Sequence, residues 1–195
     1  MNKFAKIIKY IFIIALIAFL AAFFLRVCQS DYQGLKDIKI TDSFVSAYKS
    51  DNNVRTHAVN DNGGFSENGA IFAYSFVYMK DSGYFQFSIR YNTRHMDEVK
   101  ETYPEFSEEQ IYFVITDSNG NTYEPKKIDS ERKYNYQYFK LELSEIENLD
   151  ADFTIKMILG DLPEEVSAKN VLILHKSDDT SIPFEFSKKE SELLK

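Results

Sequence analysis

The chain contains few of the residues that form disulfides or bind metal ions in a small domain. Its 195 residues include one cysteine, Cys28, so no disulfide can form within the chain and zinc sites built on several thiolates are excluded. The three histidines lie in different predicted elements without His-x-x-x-His spacing; they are His57, His95 and His175. A folded domain in this chain must therefore be stabilised by its core alone.

Sequence patterns for nucleotide binding and nucleophilic catalysis are also missing. Gly63 and Gly64 are followed neither by Lys-Ser/Thr nor by a predicted helix, so they do not form a phosphate-binding loop. There is no Gly-x-Ser-x-Gly turn to expose a serine nucleophile. Paired carboxylates carry no signal, because thirty acidic residues place some pairs about 5 to 10 Å apart in any fold. We predict no catalytic residue and no cofactor.

Acidic residues are absent from the first thirty positions, which carry four basic ones. The remaining 165 residues hold nineteen basic and thirty acidic residues, a net charge of −11. An acidic surface repels nucleic acid and anionic lipid headgroups, and the sequence has no basic stripe with interleaved aromatic residues. We therefore predict that the protein does not bind nucleic acid.

A hydrophobic run near the N-terminus is the clearest feature that is present. Residues 10–25 contain no charge, and Val27 and Cys28 lengthen the apolar stretch beyond a single arginine. A membrane-spanning helix needs about 17 to 25 mostly apolar residues, so we predict a transmembrane signal-anchor at residues 10–28. Basic residues in segment 1–9 favour a cytoplasmic N-terminus, which places the rest of the chain outside the cytoplasm.

Two other fates of this segment remain open. Residues 28–30 make a usable but poor signal-peptidase site, so cleavage is an alternative to retention. Residues 25–28 resemble a bacterial lipobox only at Leu25 and Cys28, and lipidation of Cys28 is the second alternative. The thiol could also link two chains, although a small apolar residue that completes the helix is the simpler interpretation. All three fates put the folded part in the same compartment.

The chain beyond the hydrophobic segment divides into a stalk at 29–43, a β-domain at 44–187 and a charged tail at 188–195. Turn-forming residues separate short strands, and no alternation of strands with helices occurs. The candidate strands are 44–48, 71–79, 85–91, 111–115, 122–123, 133–143, 153–157, 171–174 and 182–186, with at most one more at 54–59. We therefore predict an all-β ectodomain, an Ig-like β-sandwich of about seven to nine antiparallel strands.

Local patterns predict how several of these elements pair. Residues 71–79 are apolar on both parities, which indicates a central strand, while 85–91 alternate as in a half-buried strand paired back on it. Asp, Asn and Gly at 117–121 predict a second hairpin. Residues 95–103 carry apolar residues at helical spacing and precede Pro104, so we expect one short helix there and no other outside the membrane.

The segment 133–143 changes the parity of its apolar residues. Three tyrosines occupy one parity and three later apolar residues the other: Tyr134, Tyr136 and Tyr138, then Phe139, Leu141 and Leu143. Such a change predicts a bulge or a twist in the strand. An exposed tyrosine row would form a binding platform for a sugar or a peptide, whereas a buried row would be core, which is the interpretation we favour.

The turn that begins at Asp117 offers the one weak candidate for a metal site. Asp117, Asn119 and Asn121 place oxygen atoms at alternate positions, as at the start of an EF-hand loop. The pattern then departs, because Gly120 precedes the third oxygen ligand and Glu124 comes too early to be the bidentate glutamate. Backbone geometry alone explains Asp and Asn at such a turn, so we predict no bound metal.

These features together predict a single-pass membrane protein of the cell envelope whose outer domain binds or assembles with a protein or carbohydrate partner and is not an enzyme. One alternative is an envelope hydrolase that uses surface carboxylates, which a cleft with two facing acids would favour. The other is an accessory or sensor subunit of a membrane complex. About nine residues before the span are too few for an output domain, so a sensor would need a partner in the membrane.

Overall fold

The hydrophobic N-terminal run folds as one long helix. The structure, a computed structural model, describes the following residues: 3–36, 38–57, 64, 66–133, 135–147, 152–174 and 181–195. Helix α1 spans Lys3–Lys36, and its stretch Ile7–Phe24 is long and apolar enough to cross a membrane. None of those eighteen residues is buried.

The second compact unit, Ile38–Lys195, contains ten strands in its described residues. In chain order the strands are β1 (Arg55–His57), β2 (Ile71–Met79), β3 (Tyr84–Asn92), β4 (Ile111–Asp117), β5 (Thr122–Tyr123), β6 (Lys126–Lys133), β7 (Tyr136–Leu143), β8 (Phe153–Leu159), β9 (Val171–Leu174) and β10 (Ile182–Pro183). The helices are α2 (Asp42–Asp51), α3 (Thr93–Thr102), α4 (Glu164–Ser167) and α5 (Lys188–Leu193), with a 3₁₀ turn at Glu108–Gln110. The prediction of a mostly β unit after one apolar helix is confirmed.

The strand pairs among the described residues are all antiparallel and form two sheets. Sheet A has six strands in the order β10-β1-β2-β3-β7-β6, and sheet B has four in the order β5-β4-β8-β9. Apolar residues from both sheets form one core cluster. The ring centroids of Phe85 and Phe153 lie 5.3 Å apart, and those of Phe113 and Phe139 lie 5.5 Å apart. We call the side of sheet A that contributes to this core its inner face.

The predicted hairpin of β2 and β3 is confirmed. Its pairing shifts register between Ala73 and Phe76, which marks a bulge. The connecting turn requires glycine, because Gly83 has a φ of +64° and an added Cβ would lie 2.6 Å from the carbonyl oxygen of Ile146. The β4–β5 hairpin around Gly120 is confirmed as well.

Strand β3 of sheet A is buried on both faces, so the prediction that it is half-buried is wrong. Gln86 and Ser88, on the parity expected to face solvent, are each only 2% exposed. A second apolar cluster covers this side. Its members are Ile38, Phe44, Ala47, Val54, Val77, Met79 and Tyr84, with Phe184, Phe186 and Leu194 among the residues packed against it. We call this side the second face of sheet A.

Of the two alternatives predicted for the strand at 133–143, a bulge or a twist, the bulge is not found in β7. β7 pairs with β3 over its whole length without a register shift. Apolar residues suit both parities of β7, because Phe139 and Tyr138 are both buried although they lie on opposite faces. The register shift falls instead in β6, between Lys127 and Asp129.

The first predicted strand, at 44–48, is helical and lies within α2. The side chain of Thr41 caps this helix by accepting a hydrogen bond from the amide of Phe44 at 3.1 Å. The buried residues of α2 are Phe44, Ala47 and Asp51, whose separations of three and four are those of one helix face. This spacing was present in the sequence, but the apolar residues were too few to distinguish a helix from a strand.

Other elements also correct the sequence predictions. The helix expected near 95–103 is confirmed as α3, yet it is not the only one outside α1, because α2, α4 and α5 are also helical. α5 lies within the predicted charged tail. β6 was not predicted as a separate strand, since Ile128 is its only apolar residue. The last predicted strand, at 182–186, shortens to β10.

Candidate functional site

The predicted tyrosine row is split between different environments. Tyr134 lies outside the described residues. Tyr136 is half-buried beneath the guanidinium of Arg90, whose Cζ is 4.4 Å from the ring centroid. Tyr138 is 5% exposed and belongs to the packed second face of sheet A. Of the two described tyrosines, only Tyr136 therefore has a partly exposed ring, and its role in binding stays a prediction.

The weak metal candidate is a hydrogen-bonded turn. Asp117 accepts hydrogen bonds from the amides of Asn119 and Asn121, each at 2.9 Å, and from the Asn121 side chain and the Tyr123 hydroxyl at 2.9 and 3.2 Å. Burial alone would raise the pKa of Asp117, but these hydrogen bonds, led by that of the Asn121 side chain, lower it. Within the described residues, no group of three or more His, Cys, Asp or Glu side chains is arranged to hold a metal ion.

A partly open cavity of about 200 Å³ lies where the end of β7 meets the start of β6 and the start of α2. It combines two carboxylates, one ammonium group and several hydroxyl groups. The lining residues are Ser43, Tyr123, Glu124, Lys126, Glu142, Leu143 and Ser144. We treat this cavity, which we call the Glu142 cavity, as the candidate functional site.

Strand register explains how Glu142 reaches the cavity. Glu142 of β7 lies directly opposite Gln86 of β3 on one side and Lys126 of β6 on the other. Residues that are directly opposite in neighbouring strands share a face, so these three side chains form a row on the second face of sheet A. The row is polar, although apolar residues of the second cluster cover neighbouring parts of this face.

Glu142 is buried but incompletely hydrogen-bonded. Its side chain is 3% exposed, and Oε2 accepts hydrogen bonds from Thr41 Oγ1 at 2.6 Å and from Tyr84 Oη at 3.1 Å. Oε1 has no hydrogen-bond partner among the described residues. The ammonium of Lys126 lies 3.5 Å from Oε1, and the Lys126 side chain is 70% exposed. The ammonium is too far from Oε1, or too poorly aligned with it, to donate a hydrogen bond, so this contact lacks the strength of a charge-assisted hydrogen bond.

A hydrogen-bond network fixes the position of Glu142. The amide Nε2 of Gln86 donates to Tyr84 Oη at 2.8 Å and to the carbonyl oxygen of Lys39 at 2.9 Å. Gln86 Oε1 accepts a hydrogen bond from the Lys39 amide at 2.9 Å. The side chain of Gln86 therefore holds both backbone groups of Lys39, which connects the segment before α2 to β3. Burial, followed by the charge of Glu142, raises the pKa of Tyr84, which keeps its hydroxyl protonated as a donor.

A second tyrosine–glutamate pair lies elsewhere in the same unit. The hydroxyl of Tyr91 donates to Glu108 Oε2, while Glu108 Oε1 lies 2.6 Å from Lys100 Nζ and 3.9 Å from Arg132 Nη1. Burial and the hydrogen bond to Glu108 raise the pKa of Tyr91. Burial alone would raise the pKa of Glu108 too, but hydrogen bonds and charges from Lys100, Tyr91 and Arg132 lower it. Both oxygens of Glu108 therefore have partners.

The unpartnered oxygen of Glu142 makes its cavity a better candidate for a binding site than the other polar clusters. Three buried side-chain atoms in the described part of the chain lack a hydrogen-bond partner: His95 Nε2, Asn170 Nδ2 and Glu142 Oε1. Of these three residues, Glu142 alone lines the cavity. Burying a polar group without a hydrogen-bond partner costs folding free energy. A ligand that enters the cavity and donates to Oε1 would explain why Glu142 occupies this position.

Sequence reasoning missed Glu142 for a definite reason. In β7 it alternates with Leu141 and Leu143, and such alternation normally places the polar residue in solvent. The signal that could have found it was the parity change itself, because apolar residues on both parities of one strand indicate burial of both faces. A charged residue inside such a strand is then a buried charge.

Comparison with known proteins assigns no relative to this chain. No family model matches it, and neither curated proteins nor solved structures give a significant match. Its function must therefore be argued from its own residues.

Proposed function

We propose that this protein is a membrane-anchored, extracytoplasmic binding or assembly module of the cell envelope and not an enzyme. The observation that carries the proposal is the exposure of Ile7–Phe24, none of which is buried in the protein. Eighteen mostly apolar residues on one helix are costly to expose to water, at about 25 cal/mol for each Å² of apolar surface. A bilayer removes that cost.

The charges that flank the apolar stretch favour one orientation in the membrane. Lys3, Lys6 and Lys9 precede the apolar stretch, and acidic residues begin only at Asp31. Basic residues are retained on the cytoplasmic side of single-pass helices, so Ile38–Lys195 would lie outside the cytoplasm. With one cysteine in the whole chain, this unit would be stabilised there without disulfides.

The two-sheet unit suits a binding role as an Ig-like β-sandwich. Rigid strands in such a fold hold side chains in place for a partner, while the chemistry of a site belongs to its residues. The Glu142 cavity supplies a site of this kind, with a carboxylate held by Thr41 and Tyr84 and an opening next to it. A protein or a carbohydrate would present the group that enters it.

Cysteine labelling tests the proposed location. In a Cys28→Ser background, Lys189→Cys adds one thiol on the C-terminal helix α5, and Lys3→Cys adds one before the apolar stretch. A membrane-impermeant maleimide should label Lys189→Cys in intact cells and Lys3→Cys only after lysis. Protection of Lys189→Cys until lysis would contradict an extracytoplasmic domain. Loss of the Lys3→Cys label from the mature protein would reveal cleavage, which changes the anchor but not the compartment.

Site-specific photocrosslinking tests the proposed binding role. A photoreactive amino acid at Ser144, an exposed residue that lines the cavity, should give a discrete adduct in intact membranes. The matched control is Glu109, which is exposed on the 3₁₀ turn and does not line the cavity. Equal adducts at both positions would contradict a specific site at the cavity.

A hydrolase is the second candidate, and one observation favours it. Glu124 and Glu142 line the same cavity, as two carboxylates do in enzymes that cleave glycosidic bonds. The test is turnover of aryl glycosides and esters by the full chain. An enzyme of this kind should lose turnover in Glu124→Gln and in Glu142→Gln, with Glu147→Gln as the control. A binding module should show no turnover in any of them.

A further inference from the structure

We propose that the Glu142 cavity binds a primary ammonium group carried by a small polar molecule or by a side chain of a partner. The inference rests on the proposed binding function and specifies its ligand. It is carried by Glu142 Oε1, a buried carboxylate oxygen that has no hydrogen-bond donor among the described residues and belongs to a residue that lines a cavity.

Glu142 Oε1 requires a hydrogen-bond donor. A carboxylate oxygen is an acceptor only, so it is satisfied by a donor and most strongly by a charged one. Its sister oxygen already accepts hydrogen bonds from Thr41 and Tyr84, which fixes the carboxylate plane. Oε1 is thus an acceptor in a fixed position, and a ligand in the cavity would supply its donor.

The charges around the cavity determine which ligand charge it favours. The cavity is lined by two carboxylates, Glu124 and Glu142, against the single ammonium of Lys126. A cation entering the cavity would meet an excess of negative charge, whereas an anion would be repelled by both carboxylates. The cavity therefore favours cations.

The cavity lining suits an ammonium group better than a metal ion. A calcium ion takes six to eight oxygen ligands, and the lining offers few carboxylates, one of which uses an oxygen for two internal hydrogen bonds. An ammonium group needs only hydrogen-bond acceptors for its three donors. Glu142 Oε1 and the hydroxyl groups of Ser43 and Ser144 can supply them.

The volume of the cavity limits the size of the ligand. A volume of about 200 Å³ lies below the 300 to 1,000 Å³ of pockets that enclose a whole drug-sized ligand. The cavity thus accommodates one monosaccharide or one amino acid side chain. Two sources of a primary ammonium match that size, an amino sugar and a lysine side chain.

Lys126 acts as an internal competitor. Its ammonium is 3.5 Å from Oε1 without a hydrogen bond, and its side chain is 70% exposed. Solvent can hydrate the Lys126 ammonium when it moves away, while an incoming ammonium replaces its charge beside Glu142. A ligand with the same chemical group would take the place of the Lys126 ammonium and approach Oε1 more closely. Removal of the Lys126 ammonium should then strengthen ligand binding, which is opposite to the effect expected if Lys126 held the ligand.

Calorimetric titration of the full chain in a non-ionic detergent tests the inference. Glucosamine and Nα-acetyl-lysine amide carry the ammonium, while N-acetylglucosamine and glucose are the neutral controls. We expect at least one ammonium compound to bind about 10-fold or more tightly than the neutral sugars. The stronger of the two ammonium compounds identifies the source as a glycan or a polypeptide.

Three variants locate the binding in the cavity. Glu142→Gln should weaken binding of the ammonium compound about 10-fold or more, and Lys126→Met should strengthen it about 2- to 5-fold. Glu147→Gln, an exposed residue that does not line the cavity, should leave it unchanged. If Glu142→Gln fails to fold, Lys126→Met still decides the question, because its side chain is mostly exposed.

Three results would overturn the inference: no binding of either ammonium compound, equal binding of the neutral sugars, or weaker binding by Lys126→Met. None of them affects the cysteine-labelling result, which tests location alone. Equal binding of neutral sugars would retain a binding module while excluding the ammonium as the recognised group. Failure of the inference and failure of the proposed function are therefore distinguishable.

Discussion

Two tyrosine–glutamate pairs in this domain have the same donor and acceptor but different surroundings. Tyr91 donates to Glu108, whose other oxygen meets Lys100 at 2.6 Å and Arg132 at 3.9 Å. Tyr84 donates to Glu142, whose other oxygen has, among the described residues, only the exposed ammonium of Lys126 at 3.5 Å. The first pair is closed by its own cations and is a structural link. The second pair is open, because one oxygen of Glu142 has no hydrogen-bond donor among the described residues and the residue lines a cavity. This is expected of a binding site in which a ligand supplies the donor.

The largest effect should come from Tyr84→Phe. Tyr84 is completely buried, and its hydroxyl both donates to Glu142 and accepts from Gln86. Loss of this hydroxyl leaves buried polar groups with fewer partners, which should lower the free energy of unfolding by about 1 to 3 kcal/mol. Chemical denaturation of the full chain in detergent measures the change. A loss within experimental error would mean that the second face is held by apolar contacts alone.

Tyr91→Phe should cost less, about 0.5 to 1.5 kcal/mol in the same measurement. Glu108 is 21% exposed and keeps both of its cations when the tyrosine hydroxyl is lost. Solvent and the two cations can therefore replace the missing donor, unlike at Glu142. A loss larger than that of Tyr84→Phe would break the distinction between a closed and an open pair.

The sequence predicted one face of sheet A and not the other. The β2–β3 hairpin, α3 and the β4–β5 turn were predictable because their signals are local: strict alternation, helical spacing before Pro104, and Asn-Gly at Gly120. The second face is covered by α2 and by Phe184 and Phe186. These elements are far from β3 and β7 in the sequence, so no local pattern could show that they pack there.

The candidate site was missed for the same reason. Alternation shows that the two sides of a strand differ in chemistry, but it does not show which side meets water. Glu142 and Gln86 are polar because they form a buried network, yet a period of two assigned that parity to solvent. The tyrosine row was conspicuous because it is aromatic, and Tyr138 is buried on the same face as Glu142.

The pH dependence of the free energy of unfolding should reveal the contribution of the closed pair, Tyr91 and Glu108. The pKa of Glu108 is lowered in the folded state, because Lys100, Tyr91 and Arg132 outweigh the opposing effect of burial. A lowered folded pKa means that this stabilisation is full above the unfolded pKa, about 4.3, and is lost as pH falls through the folded pKa. Glu108→Gln should therefore be less stable than the native chain at pH 7, and the difference should shrink towards pH 3.

The measurement for Glu108 is denaturation at pH 7, 5 and 3 in the same detergent. Glu109→Gln, on the same 3₁₀ turn but exposed, controls for the general loss of a negative charge. A constant difference between Glu108→Gln and the native chain across this range would show that its cations do not hold the carboxylate in the ionised form.

The smallest effect on stability should come from Lys126→Met, and it sharpens the comparison most. Glu142 is buried, but the Lys126 ammonium makes no hydrogen bond to it at 3.5 Å and its side chain is 70% exposed. Such a contact contributes less than a hydrogen bond, so the free energy of unfolding should fall by less than about 0.5 kcal/mol. The matched substitution in the closed pair is Lys100→Met, which removes a 2.6 Å contact and should destabilise more. If Lys126→Met instead destabilised as much as Lys100→Met, Lys126 would complete Glu142 as Lys100 completes Glu108. The cavity would then hold a satisfied carboxylate with no need of a ligand.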